Sequence, residues 1–397
     1  MPPHQDADKG ATPTSTDHYS KQRKKKLEPV KNNLNVELTG LVDTSTSTSP
    51  GKNRMTTTST EDPVVGELVD KILEAVGGKP NSAEYRLVRD LLITGSKLIP
   101  DGRHTGELKL ITAAVKEMRY AYRVFARYAE PHKITIFGSA RTPEAHPDYK
   151  AAVEFSKLMS QAGWMAITGA GDGIMKAGHE GPGRAGSIGV AIRLPFEQST
   201  NTVIAGDEKL IHFRYFFTRK LMFISQAEGV ALFPGGFGTM DEAYETLTLV
   251  QTGKAAPMPI VCIEGEGGNY WKSWDAWVKS DLLKNGWISH EDLSLYYLAK
   301  DPTDAMNHVL AFYRNYHSSR YVKDDLVIRM RRPLSEKQVS ELNTEFKVLI
   351  KEGQISQRGP YDNETDARDL PRLVFTHTKH KMGVVRKLID RINEMGG

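Results

Sequence analysis

The stretch Pro234-Gly235-Gly236-Phe237-Gly238-Thr239-Met240-Asp241-Glu242 combines an anion-binding pattern with an acid. An apolar run, Gly229-Val230-Ala231-Leu232-Phe233, precedes it, and a helical pattern from Ala243 to Val250 follows. A strand that breaks at Pro-Gly-Gly and resumes as a helix leaves backbone N–H groups bare at the helix start. Those groups and the helix dipole favour an anion, typically a phosphate. Glu242 lies within one turn of that position, so the pattern suits an enzyme acting on a phosphorylated small molecule. Thr239-Met240-Asp241-Glu242 also reads as a capping box, with Thr239 as cap, which gives Glu242 a purely structural alternative.

Two further glycine-rich turns follow apolar runs. One is Phe137-Gly138-Ser139-Ala140-Arg141; the other is Thr168-Gly169-Ala170-Gly171-Asp172-Gly173-Ile174-Met175. Turns of this kind line one crevice at the strand ends of an open α/β sheet. Glycines there admit a ligand close to the backbone, and Ser139 and Thr239 add hydroxyls. Arg219 and Lys220 sit on the helical run just before the motif strand, where a solvated ion pair is the plain alternative for Arg219. Other motifs fail. Gly181-Pro182-Gly183-Arg184-Ala185-Gly186 matches G-x-G-x-x-G but precedes a strand, so it lacks the dinucleotide-binding context. There is no Walker A sequence. His377 and His380 form H-x-x-H at a strand end with no third ligand. Nothing else supports Lys220 as a pyridoxal lysine.

The elements that must position these turns are read from periodicity. Residues 132–316 alternate strands (133–137, 165–168, 187–194, 210–213, 229–233, 259–263) with helices (148–162, 215–226, 240–251, 271–284). Short buried β runs between helices predict an α/β fold: a doubly wound, mostly parallel, Rossmann-like sheet. Residues 63–129 predict three helices, the last with an apolar and aromatic stripe (Leu110, Ala114, Met118, Tyr122, Phe125) that packs on the next domain. Residues 321–397 predict a separate, small βαββα module of α+β type, with a Ser335…Gln338 capping box. Residues 1–62 read as a disordered tail of Ser, Thr, Pro and Lys, with Met55 as an alternative start. The expected division is thus 1–62, 63–129, 130–316 and 321–397.

Of the net charge of +4, residues 1–54 hold +3, with nine Lys/Arg against six Asp/Glu. The run Lys21-Gln22-Arg23-Lys24-Lys25-Lys26 reads as a solvated tail, and the rest offers no broad basic footprint for nucleic acid. Cys262 is the sole cysteine, which excludes an internal disulfide and fits a reducing, cytoplasmic setting. No apolar run is long enough to span a bilayer, and no secretory h-region is visible.

Taken together, the motifs resemble the LOG (Lonely Guy) family in its longer bacterial-type form, once widely labelled "lysine decarboxylase". The family signature P-G-G-x-G-T-x-x-E is met by Pro234 to Glu242. The Arg-Lys pair is matched by Arg219-Lys220, and the G-G-G-P-G-I-M-E-A turn by Gly169 to Ala177. Ser187-Ile188-Gly189 and Leu194-Pro195-Phe196-Glu197-Gln198 also fit, so the resemblance spans roughly residues 130–315. It implies a phosphoribohydrolase that cleaves the N-glycosidic bond of a nucleoside 5′-monophosphate, AMP-like or a cytokinin riboside monophosphate. Arg219 and Glu242 are then catalytic. Gly138, Ser139, Arg141, Gly169, Gly171, Gly173, Met175, Lys220 and Gly235, Gly236, Phe237, Gly238 and Thr239 bind phosphate, ribose or base. No metal or other cofactor is implied, and the partner is a second copy of the chain in a homodimer or larger homo-oligomer. The sequence departs from the family at Ala170, Asp172 and Lys176, the last expected to offset the charge of Asp172. The alternative function is a non-catalytic nucleotide or molybdenum-cofactor carrier of the same fold.

Overall fold

The computed structural model describes residues 62–194, 200–362, 364 and 366–396. The tail before residue 62, with its basic run and Met55, and Pro195–Gln198 lie outside the described residues.

Three helices lead the chain: α1 (Pro63–Ala75), α2 (Ala83–Lys97) and α3 (Thr105–Phe125). Each has a side-chain cap. Asp62 accepts from Val64 N, Ser82 from Tyr85 N, and His104 with Glu107 forms a capping box. Then follow β1 (Lys133–Phe137), α4 (Pro147–Gln161), β2 (Met165–Thr168), α5 (Ile174–Glu180), β3 (Ser187–Ile192) and β4 (Leu210–Phe213). The second half holds α6 (Phe216–Ser225), β5 (Gly229–Leu232), α7 (Phe237–Gln251), β6 (Ile260–Cys262), α8 (Tyr270–Trp277), β7 (Tyr297–Leu298) and α9 (Pro302–Phe312).

The seven strands form one sheet in the order β4-β3-β2-β1-β5-β6-β7, parallel throughout. Central strands buried on both faces read as continuous apolar runs, and β1 is buried along its whole length. One face packs Phe137, Ile167, Val190 and Leu232 against α3, α6 and α7; the other packs Ile134, Ile136 and Phe233 against α4, α5 and α9. This is the expected doubly wound, Rossmann-like α/β fold. The winding reverses at β1, which lies between β2 and β5, so the carboxyl ends of β1 and β5 flank the switch point. The α3 stripe docks on this sheet through Met118, Tyr122 and Phe125; Ala114 is buried, whereas Leu110 is 40% exposed.

A second, antiparallel sheet follows: β8 (Tyr316–Val322), β9 (Asp325–Met330), β10 (Ile350–Arg358) and β11 (Arg372–His377), in the order β10-β11-β9-β8, with α10 (Glu336–Glu345) and α11 (Met382–Met395). The order is ββαββα, one strand more than expected. Tyr316-His317-Ser318-Ser319-Arg320 lacks a clear apolar alternation, and only its pairing with β9 makes it a strand. The two-residue β7 is the other unanticipated strand, and the run 271–284 leaves the α-helix at Trp277 for a π-helical segment, Val278–Leu283. The α+β module packs directly on the α/β part. At Gly383, the second residue of α11, a Cβ would lie 2.2 Å from the carbonyl of Glu291, and Ser294 Oγ donates to the Gly383 carbonyl at 2.8 Å. Among the described residues no helix is long and apolar enough to cross a membrane.

Candidate functional site

A cleft of about 770 Å³ opens at the carboxyl ends of β1 and β5. Its floor is the Pro-Gly-Gly turn. The helix begins three residues earlier than the capping-box reading requires: Gly236 is the N-cap of α7 and Phe237 its first residue. Thr239 is then the third residue and Glu242 the sixth, and no side chain caps the helix. The capping box is therefore absent, and its structural role for Glu242 with it. The first N–H groups of α7, at Phe237, Gly238 and Thr239, lack intrahelical acceptors by position and line the cleft.

Three contacts fix the turn. Ser139 N donates to the Pro234 carbonyl at 3.1 Å, tying the β1 turn to the β5 turn. Tyr270 Oη donates to the Gly235 carbonyl at 2.7 Å. Thr239 packs against Gly235 so closely that a Cβ there would lie 2.1 Å from Thr239 Oγ1. Gly236 and Gly238 instead face open space, with nothing within 4 Å of a built Cβ. The backbone at these two positions is bare toward the cleft.

The β1 and β2 turns supply the walls. Gly138, Ser139, Arg141, Gly169 and Met175 line the cleft. Ser139 Oγ accepts from Arg141 N at 3.1 Å, which closes a small local turn. Gly171 and Gly173 stand outside the lining. Gly173 has φ 60°, and a Cβ on it would lie 2.3 Å from the Ser139 carbonyl, so its glycine serves the packing of one turn on the other. Ala170 adopts φ 62°, a left-handed conformation that fits the glycine usual there. Lys176 pairs with Glu144 at 2.5 Å and Glu180 at 3.6 Å, so its charge answers those carboxylates and not Asp172.

Arg219 and Glu242 both line the cleft. Arg219 lies over the rings of Phe223 (5.0 Å) and Phe216 (5.6 Å). Its Nε is buried without a hydrogen-bond partner, as is Oε2 of Glu242. Burial disfavours the guanidinium charge, while Glu242 favours it. Burial pushes the Glu242 carboxyl up to about 7; Lys220 and Arg219 pull it down, and Glu245 and Asp241 push it further up. A buried carboxylate and a buried guanidinium with idle hydrogen-bonding atoms in one cleft are poised for a ligand or transition state. Lys220 is set behind them and outside the lining. Its ammonium lies 2.6 Å from Glu245, 2.8 Å from Asp241 and 3.7 Å from Glu242.

Phe237 is 97% exposed and Phe216 54% exposed, and both line the cleft. Phe216, Met240, Asp241 and Tyr270 were not anticipated; Phe216 stands three residues before Arg219 on α6, one helical turn away, which is the signal that would have found it. The two remaining sequence motifs fall elsewhere. Gly181 caps the end of α5, away from any strand-to-helix turn, and His377 is hydrogen-bonded to Tyr321 Oη at 2.7 Å in the second sheet.

A parallel α/β sheet with glycine turns and a buried arginine and glutamate at its switch point defines a Rossmann-like protein with a glycine-lined cleft. Residues 169–309 match the family model described as "Possible lysine decarboxylase", the old label of the LOG family that the motifs resemble. Among solved structures the chain is similar to TM1055 (17% identity, TM-score 0.32, covering 44% of this chain and 96% of that one). It is also similar to the molybdenum cofactor carrier protein MCP from Chlamydomonas reinhardtii (19%, TM-score 0.32, 46% and 97%). The molybdenum cofactor binding protein from Rippkaea orientalis is a third (18%, TM-score 0.32, 45% and 94%). No curated protein matches the chain significantly.

Proposed function

We propose that the chain hydrolyses the N-glycosidic bond of nucleoside 5′-monophosphates to free base and ribose 5-phosphate. The observation that carries this reading is the pair of buried atoms without a hydrogen-bond partner, Arg219 Nε and Glu242 Oε2, beside a bare helix N-terminus. The 5′-phosphate docks on the N–H groups of Phe237, Gly238 and Thr239, where Gly236 and Gly238 leave room for its oxygens. Arg219 donates to the phosphate or to a ribose oxygen and fixes the pose. The exposed rings of Phe216 and Phe237 offer faces to the base.

Breaking the C1′–N bond builds positive charge on the ribose. The Glu242 carboxylate stabilises that charge and orients a water toward C1′. The water oxygen bonds C1′ as the C1′–N bond breaks, the water's proton passes to the carboxylate, and the departing base nitrogen takes a proton from solvent. A carboxyl poised near 7 suits this work, because it is ionised often enough to act and basic enough to accept.

The test is incubation of the full chain with AMP, GMP, CMP, UMP and isopentenyl-AMP, followed by chromatography for free base. Release from at least one, lost in Glu242→Ala, supports the reading. A carrier of a nucleotide or of molybdenum cofactor needs the phosphate loop but not the idle carboxylate; tight binding without base release would favour it and overturn hydrolysis.

A further inference from the structure

We infer that Thr168, His179 and Asn201 form a buried clamp that fixes where Arg219 stands in the cleft, by holding the β2 turn against which its guanidinium packs. The three side chains come from three places. Thr168 ends β2, His179 is the penultimate residue of α5, and Asn201 lies between β3 and β4. None is more than 2% exposed, and none lines the cleft.

The proton positions follow from the partners. The Ile188 carbonyl can only accept, so His179 Nε2, 3.2 Å from it, carries a hydrogen, which it shares with Thr168 Oγ1 at 3.0 Å. His179 Nδ1 is then an acceptor, and the Asn201 amide nitrogen, at 3.2 Å, is its donor. The second hydrogen of that amide goes to the Gly171 carbonyl at 3.0 Å. Burial lowers the His179 pKa to about 4, which keeps the ring neutral and this pattern intact at neutral pH.

These bonds converge on one piece of backbone. Ala170 N donates to Thr168 Oγ1 at 3.1 Å, and the Ala170 carbonyl accepts from Asn201 N at 2.9 Å. Ala170 is the residue held at φ 62°. An alanine in that conformation is strained and persists only where its surroundings over-determine it. Here both of its backbone polar groups, and the carbonyl after it, are taken by the clamp.

Gly169, the residue before Ala170, is where the turn meets Arg219. A Cβ built there would lie 3.2 Å from Arg219 Nη2 and 2.6 Å from Met175 Sδ, so the guanidinium rests on bare backbone. Arg219 Nε has no hydrogen-bond partner, and the guanidinium lies over the rings of Phe216 and Phe223. Packing therefore sets its place, and a shift of the turn is passed to it directly. Thr168, His179 and Asn201 are thus positioning residues for Arg219, an inference that rests on the reading of the cleft as a nucleotide site.

The experiment is calorimetry on the full chain with ribose 5-phosphate as the probe. It compares Thr168→Val and Asn201→Ala, each alone and combined with Arg219→Gln. Valine keeps the shape of Thr168 and removes the acceptor for Ala170 N; Asn201→Ala removes the donor to the Gly171 carbonyl. Each should weaken binding by about tenfold when Arg219 is present and by less than about twofold when it is already glutamine, because residues that act through one group are not additive. Losses that add in full overturn the proposal, since a clamp that only stabilises the fold would not depend on Arg219. Should Asn201→Ala fail to fold, Thr168→Val carries the test. His179→Gln, whose amide nitrogen can take the place of Nε2, should bind nearly as the parent does; a loss as large as that of Thr168→Val counts against the clamp. A parent that does not bind ribose 5-phosphate defeats the nucleotide reading, and phenylglyoxal then decides on the clamp. Modification of Arg219, followed by peptide mass mapping, should be several-fold faster in Thr168→Val than in the parent, with the other arginines unchanged. An equal rate at Arg219 overturns the proposal.

Discussion

Replacing Glu242 with Gln should stabilise the folded protein while abolishing its proposed activity. Burial raises the carboxyl from 4.5 to about 7, so the folded chain holds that proton more tightly than the unfolded chain. A carboxyl with a raised folded pKa costs stability as pH rises from its unfolded value to its folded one, and the full cost persists above both. A difference of about 2.5 pKa units corresponds to about 3 kcal/mol at pH 8, and to less than about 1 kcal/mol at pH 5, where the folded form is already protonated. Glutamine keeps the shape without the charge. Urea unfolding of Glu242→Gln and the parent, at matched protein concentration, should therefore show the variant more stable by up to about 3 kcal/mol at pH 8, with the gain mostly gone at pH 5. Base release from nucleotide should fall by orders of magnitude at both. A loss of stability that is independent of pH would refute the reasoning, since it would mean that the carboxylate is satisfied in the fold and not held idle for a ligand.

Four further outcomes follow from the same geometry. The pH profile of kcat/KM should rise through an apparent pKa of about 7 to a plateau, because the ionised carboxylate is the working form, and a profile flat from pH 5 to 9 would contradict this. Arg219→Gln removes a cation that holds the Glu242 pKa down, so that limb should move to higher pH while kcat/KM drops by about a hundredfold or more. Phe216→Ala and Phe237→Ala should each raise KM for nucleotide by about tenfold, in line with about 1–3 kcal/mol for stacking on a base, and leave inhibition by ribose 5-phosphate unchanged. Gly173→Ala should destabilise by about 2–4 kcal/mol, since it forces a methyl group onto the Ser139 carbonyl in a left-handed backbone, whereas Gly236→Ala, built into open space, should melt as the parent does and weaken phosphate binding.

Much of the site was legible because it depends on local chemistry. A strand end, two glycines and a helix start lie within nine residues, and any chain with that run must present bare N–H groups at that place. The sheet followed from the apolar runs, since a parallel strand buried on both faces has no polar alternation to obscure it. What was not legible depends on tertiary contacts. The capping-box pattern at Thr239–Glu242 was satisfied in type and spacing, but Gly236 starts the helix earlier and frees the carboxylate. Lys220 neighbours Arg219 in sequence yet points to Asp241 and Glu245, because successive residues on a helix diverge by about 100°. Gly171 and Gly173 share a turn with Gly169, but only the last faces the cleft; a glycine's reason for being glycine is not visible without its neighbours. Strand β8 is polar enough to hide until β9 pairs with it.

The central claim, that the arginine–glutamate cleft breaks a nucleotide's glycosidic bond, is tested most directly by quantifying products from the full chain and from Glu242→Gln side by side. The parent should release equal amounts of free base and ribose 5-phosphate from at least one nucleoside 5′-monophosphate, and the variant neither product. Full turnover by Glu242→Gln, or nucleotide bound tightly and recovered intact from the parent, would contradict it.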